Sequence, residues 1–226
     1  MIRLGAGPLE RIVVVGAHCD DIAIGAGGSL LTMCLAQPGM RVDALVLTGG
    51  GSEREQEEQA ALAAFCPGAD LRLTVLKLAD GRLPAQWEEA KAAVEELRAQ
   101  TDPDLVLAPR TDDAHQDHRG LARLMTTAFR DHLVLGYEIV KWDGDLGRPP
   151  AYQPLSPEIA ERKVRLLQEH YPSQRHRPWY DREAFLGLAR IRGIECHARY
   201  AEAFAVTKFT LDLGTSNVLG TSNVGE

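Results

Sequence analysis

Two short clusters of metal-ligating side chains, about a hundred residues apart, are where this sequence could do chemistry. The first is His18-Cys19-Asp20-Asp21, reached through the aliphatic run Val13-Val14-Val15. The second is Asp112-Asp113-Ala114-His115-Gln116-Asp117-His118, reached through Leu105-Val106-Leu107-Ala108-Pro109. A hydrolytic zinc needs about three nitrogen or carboxylate ligands and one open position for water. His18, Asp21 and His118 can supply such a set. Asp20 then lies beside the metal without having to bind it, which suits a general base for metal-bound water. His115, three residues before His118, can face the other side of a bound carbonyl, steadying an oxyanion or protonating a leaving amine. Asp117 can hydrogen-bond one of the imidazoles and set its tautomer.

Each residue also has a plainer reading. Asp20 or Asp21 could cap a helix beginning near Ile24, Asp117 could cap one beginning at His118, and Asp112-Asp113 could be turn residues. Two His/Asp clusters after two aliphatic runs outweigh those readings taken together. Buried parallel strands read as unbroken aliphatic runs, and open α/β sheets bind ligands beyond the carboxyl ends of their strands. Both clusters are therefore expected to open onto one crevice.

The elements that must position them alternate along the chain. Strands are expected at Arg11–Ala17, Arg41–Thr48, Leu71–Leu78, Asp104–Pro109 and Leu133–Val140. Helices are expected at Ile24–Gln37, from an N-capping Ser52 through Phe65, at Pro84–Gln100, and at about Gln116–Arg130. This rhythm predicts an α/β fold with a mostly parallel sheet and helices on both faces. Beyond it, Trp142–Pro154 is a Gly/Pro-rich excursion that could overhang the crevice. A helix follows from Ser156-Pro157 through His170, another over Asp181–Ile191, and a late strand over Ala203–Thr207. The expected organisation is one domain over 1–213 and a low-complexity tail over 214–226, where Gly-Thr-Ser-Asn-Val occurs twice. Such a tail reads as mobile unless something, such as a neighbouring subunit, holds it.

Composition excludes several classes. A formal net charge of −7 lacks the basic footprint that nucleic acid or an anionic membrane requires. No window approaches the ~18 apolar residues of a membrane span, and the first residues show no secretory h-region. Cys19, Cys34, Cys66 and Cys196 show no C-x-x-C spacing and read as reduced thiols. The cytoplasm is the expected compartment, and an acidic surface permits a homo-oligomer without requiring one.

Ala17-His18-x-Asp20-Asp21, the following Gly25-x-Gly27-Gly28 and the later His115-x-Asp117-His118 resemble the PIG-L/LmbE family. These are zinc-dependent N-deacetylases acting largely on N-acetylglucosamine-type conjugates. The resemblance continues through Arg54-x-x-Glu57, Asp80-Gly81, Pro103-Asp104, Tyr137-Glu138, Ser173-Gln174, Arg192-Gly193 and Tyr200-Ala201-Glu202-x-Phe204. It implies a single Rossmann-like domain, zinc (Zn2+) held by His18, Asp21 and His118, and Asp20 as the base. It makes His115, as an imidazolium, the group facing the tetrahedral intermediate, with Asp117 tuning it. Arg54 becomes a substrate contact, for which the alternative is a helix-surface partner of Glu57 or Glu58. Two positions depart from the family. Cys19 stands where proline is frequent and is expected to pack beside the loop. Asp113 stands where some members carry a tyrosine, and is expected to brace a motif histidine or contact substrate.

The reaction this implies is hydrolysis of an N-acyl bond, most naturally N-acetyl on a small amino-sugar conjugate. Amide hydrolysis of a thiol conjugate stays open within the family. A dinucleotide-binding protein fits poorly, because Asp20 and Asp21 occupy the strand-to-helix turn where a pyrophosphate would lie. A glycosidase using Asp20 and Asp117 leaves two histidines without a purpose. A non-catalytic sugar-binding protein would not need the acid–base set. Trp142, Tyr152, Trp179 and Tyr180 could stack on a sugar ring or pack in the core.

Overall fold

The computed structural model describes residue 5 and residues 7–210. The tail expected over 214–226 lies outside them. The chain runs β1 (Arg11–Gly16), α1 (Asp21–Ala36), β2 (Arg41–Thr48), α2 (Glu53–Phe65), β3 (Asp70–Leu78), α3 (Trp87–Gln100), β4 (Leu105–Pro109), α4 (Gln116–Ala128) and β5 (Val134–Tyr137). It continues β6 (Ala151–Leu155), α5 (Pro157–His170), α6 (Arg182–Glu195) and β7 (Tyr200–Val206). The seven strands form one sheet in the order β3-β2-β1-β4-β5-β7-β6. The first five in that order are parallel; β7 pairs antiparallel with both β5 and β6. This is the single α/β domain expected.

Alternation along β1 shows how the sheet is covered. Ile12 and Val14 enter one apolar cluster, with Ile22 of α1, Leu62 of α2, Val164 of α5 and Phe185 of α6. Val13 and Val15 point to the opposite face and meet Val94 of α3 and Leu121 of α4. Burying each such side chain is worth about 1.5–3 kcal/mol. That packing, on both faces, holds the strand ends where the polar loops need them.

The site follows from the strand order. β1 has β2 on one side and β4 on the other, so the chain leaves β1 in one direction and later returns on the other. The loops after β1 and β4 therefore diverge over a crevice at their carboxyl ends. The glycines early in α1 bring that helix close to the sheet. A methyl group on Gly25 would come within 2.1 Å of the Tyr137 ring, whose hydroxyl donates to Val15 O at 2.5 Å.

Several boundaries differ from expectation. α1 begins at Asp21, three residues early, because the Asp20 carbonyl already accepts the Ile24 N–H at 2.9 Å. A 3-10 turn over Leu83–Ala85 precedes α3, which starts at Trp87. α6 extends to Glu195, β7 starts at Tyr200, and β5 ends at Tyr137. Within the expected irregular excursion, Ala151–Leu155 forms β6. Its Pro154 is tolerated because β6 lies at the sheet edge, where one side needs no N–H donor. The expected caps are in place: Ser52 accepts from the Arg54 N–H at 3.2 Å and Ser156 from the Ile159 N–H at 3.2 Å. Among the described residues no helix is long and apolar enough to cross a membrane.

Candidate active site

Three donor atoms from both clusters form a small triangle. His18 Nδ1 lies 3.1 Å from His118 Nε2 and 3.4 Å from Asp21 Oδ2, and His118 Nε2 lies 3.3 Å from Asp21 Oδ2. Ligands about 2.0–2.2 Å from a tetrahedral zinc are separated by roughly 3.3–3.5 Å, so the donor set has the size and chemistry the ion demands. Two overlapping groupings, His18/His115/His118 and His18/Asp80/Asp117, also bring donor atoms within 4.8 Å of one another. The triangle with Asp21 is 3.1–3.4 Å on every side and joins two imidazoles to one buried carboxylate.

Local hydrogen bonds aim each member. Asp21 Oδ2 accepts the N–H groups of Ala17 and His18 at 2.9 and 2.8 Å, which turns the carboxylate back toward the strand end. His18 uses its other nitrogen, Nε2, toward Asp117 Oδ2 at 3.3 Å and Asp80 Oδ1 at 3.0 Å. His118 Nδ1 lies 3.1 Å from Asp113 Oδ1 but off the direction of a hydrogen bond, so it is left without an aligned acceptor. Carboxylates behind ligating imidazoles orient them and strengthen their donor nitrogens.

The electrostatics favour a cation. Burial alone would lower both imidazoles, yet Asp21, with Asp113 beside His118, pushes His118 up to about 9. Against the same burial, Asp21, Asp117 and Asp80 raise His18 well above its ordinary value. Asp21 is held well below the carboxylate range, against its burial, by His118 and His18. A field that stabilises two imidazolium ions also stabilises a divalent ion in their place.

Asp20 is adjacent but differently held. Its φ of 106° is left-handed, which is costly for a residue with a Cβ. Its side chain makes no capping bond. Its N–H donates to Glu58 Oε2 at 2.9 Å, and its Oδ2 lies 3.1 Å from Arg54 Nη2, which also donates to Cys19 O. Burial pushes the carboxyl up to about 7, with Arg54 opposing and Asp21 adding. A base of that strength is matched to neutral pH.

The second cluster opens α4. His115 is its N-cap, Nδ1 accepting the Asp117 N–H at 3.2 Å. That bond leaves the proton of the neutral ring on Nε2. The imidazolium expected here would have to give up its cap. Burial and the neighbouring His118 and His18 also push His115 below its ordinary value. The Asp117 carboxylate turns away from His115: besides His18, it accepts the N–H groups of Gly81 and Leu83 at 2.8 and 3.0 Å.

Asp113 and Arg54 were the expected substrate contacts. Asp113 is buried and occupied, accepting the His115 N–H at 2.8 Å and Lys141 Nζ at 3.1 Å. Burial notwithstanding, His118, His115 and Lys141 hold it down at about 2. It braces the second cluster from a buried position. The Arg54 guanidinium turns inward onto Cys19 and Asp20, with Glu57 at 3.4 Å. Cys19 packs beneath the loop, its thiol donating to Thr48 O at 3.4 Å, and burial keeps it protonated.

Three contributors have no site role in the sequence reading. Glu58 reaches the site only because α2 packs against the loop after β1. Lys141 also pairs with Asp145 at 2.7 Å, and Asp145 accepts the Ala114 N–H at 2.7 Å, anchoring the 141–147 segment beside the second cluster. Asp80, with 78% of its side chain exposed, comes from the turn after β3; Asp80-Gly81 was its one sequence signal.

Comparison with known proteins agrees with this architecture. The PIG-L family pattern, described as GlcNAc-PI de-N-acetylase, matches residues 13–129. The chain is 30% identical over 178 residues to the uncharacterized deacetylase YaiS of Escherichia coli K12, covering 73% of this chain and 92% of that protein. Among solved structures it resembles the N,N'-diacetylchitobiose deacetylase of Pyrococcus horikoshii, with TM-score 0.69, 19% identity, and 93% and 89% of the two chains covered. It also resembles GalB, the 4-carboxy-2-hydroxymuconate hydratase of Pseudomonas putida KT2440, with TM-score 0.66, 15% identity, and 91% and 100% covered. Identities this low establish a shared fold and leave the reaction open. The family match, which contains both His/Asp clusters, is what places the chain: it belongs to the PIG-L family.

Proposed function

We propose that this protein is a zinc-dependent hydrolase that removes an N-acetyl group from an amino-sugar-containing small molecule. His18, Asp21 and His118 hold the ion, and Asp20 is the general base. The observation that carries this reading is the triangle of His18 Nδ1, Asp21 Oδ2 and His118 Nε2, 3.1–3.4 Å on a side, next to the buried Asp20 carboxyl. Membership of a de-N-acetylase family and the deacetylase names of its relatives support the choice of bond. The chitobiose deacetylase supports the choice of a sugar.

A bound zinc supplies Lewis acidity, acidifying a water and polarising the acyl carbonyl. The chain's own groups do the rest. Asp20 takes a proton from the attacking water and, once protonated, returns one to the departing amine. His115 presents its Nε2–H as a donor to the oxyanion, a role that needs no positive charge on the ring. Asp117 keeps His18 aimed, and the Asp113 charge beside His118 Nδ1 strengthens that ring as a donor.

The test is release of acetate from N-acetylglucosamine, its β-linked disaccharide and its inositol conjugate, with and without chelator. Acetate and free amine should appear together, cease on chelation and return with added zinc. Because a hydratase shares the fold, matching amine and acetate yields is the decisive reading. Acetate release indifferent to chelation, or amide left intact by the zinc-loaded protein across all three substrates, would overturn the proposal.

A further inference from the structure

One helix holds the peptide bond before Asp20 at both of its polar ends. The Cys19 carbonyl accepts from Arg54 Nη2, and the Asp20 N–H donates to Glu58 Oε2 at 2.9 Å. Arg54 and Glu58 are four apart on α2 and so project from the same face. The guanidinium also reaches Asp20 Oδ2 at 3.1 Å, with Glu57 3.4 Å from its Nε. Glu58 is fully buried and is itself fixed by the Tyr171 hydroxyl at 2.7 Å. A left-handed conformation at a residue with a Cβ costs about 1–2 kcal/mol and persists only where surrounding contacts over-determine it. Here those contacts are on α2. The metal-ligand triangle does not depend on them, since Asp21 is bonded to Ala17 and His18, and His18 to Asp117.

We propose that Arg54 and Glu58 are positioning residues, a two-handed clamp on the Cys19–Asp20 peptide that locks Asp20 left-handed and aims its carboxylate. The inference rests on the reading of Asp20 as the base. It also gives Arg54 a role distinct from substrate binding. A clamp acts on the chemical step, whereas a substrate contact acts on affinity. Displacing a catalytic group by about 1 Å costs about 10²-fold in rate.

The experiment compares zinc-loaded Arg54→Lys, Glu58→Met, Glu58→Gln and Asp20→Asn on whichever N-acetyl sugar of the screen above turns over fastest. Lysine keeps the charge beside Asp20 but cannot fork onto the Cys19 carbonyl and the carboxylate together. Arg54→Lys and Glu58→Met should each lower kcat about 10²-fold, leave KM within about twofold and leave bound zinc unchanged. Glu58→Gln, whose amide oxygen accepts the same two bonds, should recover most of what methionine loses. With 27% of its side chain exposed, Arg54 can be replaced without opening a hole, so it tests the clamp even if Glu58→Met unfolds.

A raised KM at unchanged kcat in Arg54→Lys would make Arg54 a substrate contact and overturn the clamp. Glu58→Gln as impaired as Glu58→Met would overturn it too. A crystal structure of Arg54→Lys gives a readout independent of turnover: residue 20 should leave the left-handed region, and a φ still near 106° would count against the clamp. Parental turnover in Asp20→Asn would sink the base assignment itself. An inactive Asp20→Asn alongside clamp variants of parental kcat would sink the clamp alone.

Discussion

His18 Nδ1 and His118 Nε2 lie 3.1 Å apart across a hundred positions of sequence. The distance exists because β1 and β4 are neighbours in the sheet although two strands and three helices separate them in the chain. Each imidazole has a carboxylate within 3.3 Å of its far nitrogen, and the one behind His18, Asp117, is placed to hydrogen-bond it.

If that pair and Asp21 form the ion site, His118→Ala should purify without stoichiometric zinc, and Asp20→Asn should keep it. Metal analysis after dialysis separates the two. Asp20→Asn should also lose about 10²–10⁴-fold in turnover, the usual contribution of a positioned base. Full zinc occupancy in His118→Ala would show that the ion is held elsewhere, as at the His18/Asp80/Asp117 grouping.

Asp117 contributes through His18, whose Nε2 it faces at 3.3 Å. Asp117→Asn should weaken zinc affinity about 10–100-fold, the usual effect of removing such a carboxylate. Competition with a coloured chelator measures this. An affinity equal to the parent's would leave the carboxylate only its role in fixing the turn at Gly81 and Leu83.

Glu58 makes stability depend on pH. Burial pushes its carboxyl from an ordinary value of 4.5 up to about 8, with the Tyr171 hydrogen bond opposing and Asp20 adding. The folded chain keeps a proton there that the unfolded chain loses above its own, lower pKa, so folding is favoured less as pH rises. The group's contribution is complete below about pH 4.5 and is lost as pH rises through about 8. Glu58→Gln should therefore melt near the parent at pH 5 and several degrees above it at pH 9, at about 2–4 °C per kcal/mol for a chain of this length. An identical offset at both pH values would mean that Glu58 is ionised in the fold.

Gly25→Ala sets helix propensity against packing. Alanine gains about 0.5–1 kcal/mol in a helix interior. Its methyl, however, would come 2.1 Å from a buried Tyr137 ring tethered to Val15 O, and such overpacking costs about 1–3 kcal/mol. Packing wins, so a urea melt should show a net loss of stability. An unchanged midpoint would show that Tyr137 can retreat.

The limits of sequence reading lie at identifiable residues. β6 was hidden because Pro154 and the surrounding Gly/Pro composition signal a loop, and only its place at the sheet edge makes a strand acceptable there. Arg54 is a substrate contact by resemblance and a partner of Glu57 or Glu58 by helix spacing, and it does lie 3.4 Å from Glu57. Which way it turned depended on where the Cys19 carbonyl and the Asp20 carboxylate lay. Asp113 is set beside a motif histidine by the family resemblance, while Lys141, its partner, is 28 positions away with no periodicity to announce it.

What sequence by itself determined is which residues have the chemistry to ligate a metal and which sheet presents them. Ligand chemistry depends on residue type, and aliphatic runs ending in such residues state locally which strand ends will carry them. Only the tertiary structure decided how those groups are aimed: Glu58 on the Asp20 N–H, Asp117 on His18, Asp80 at the rim. Orientation comes from hydrogen bonds between segments that folding alone brings together, and no local pattern of residues encodes them.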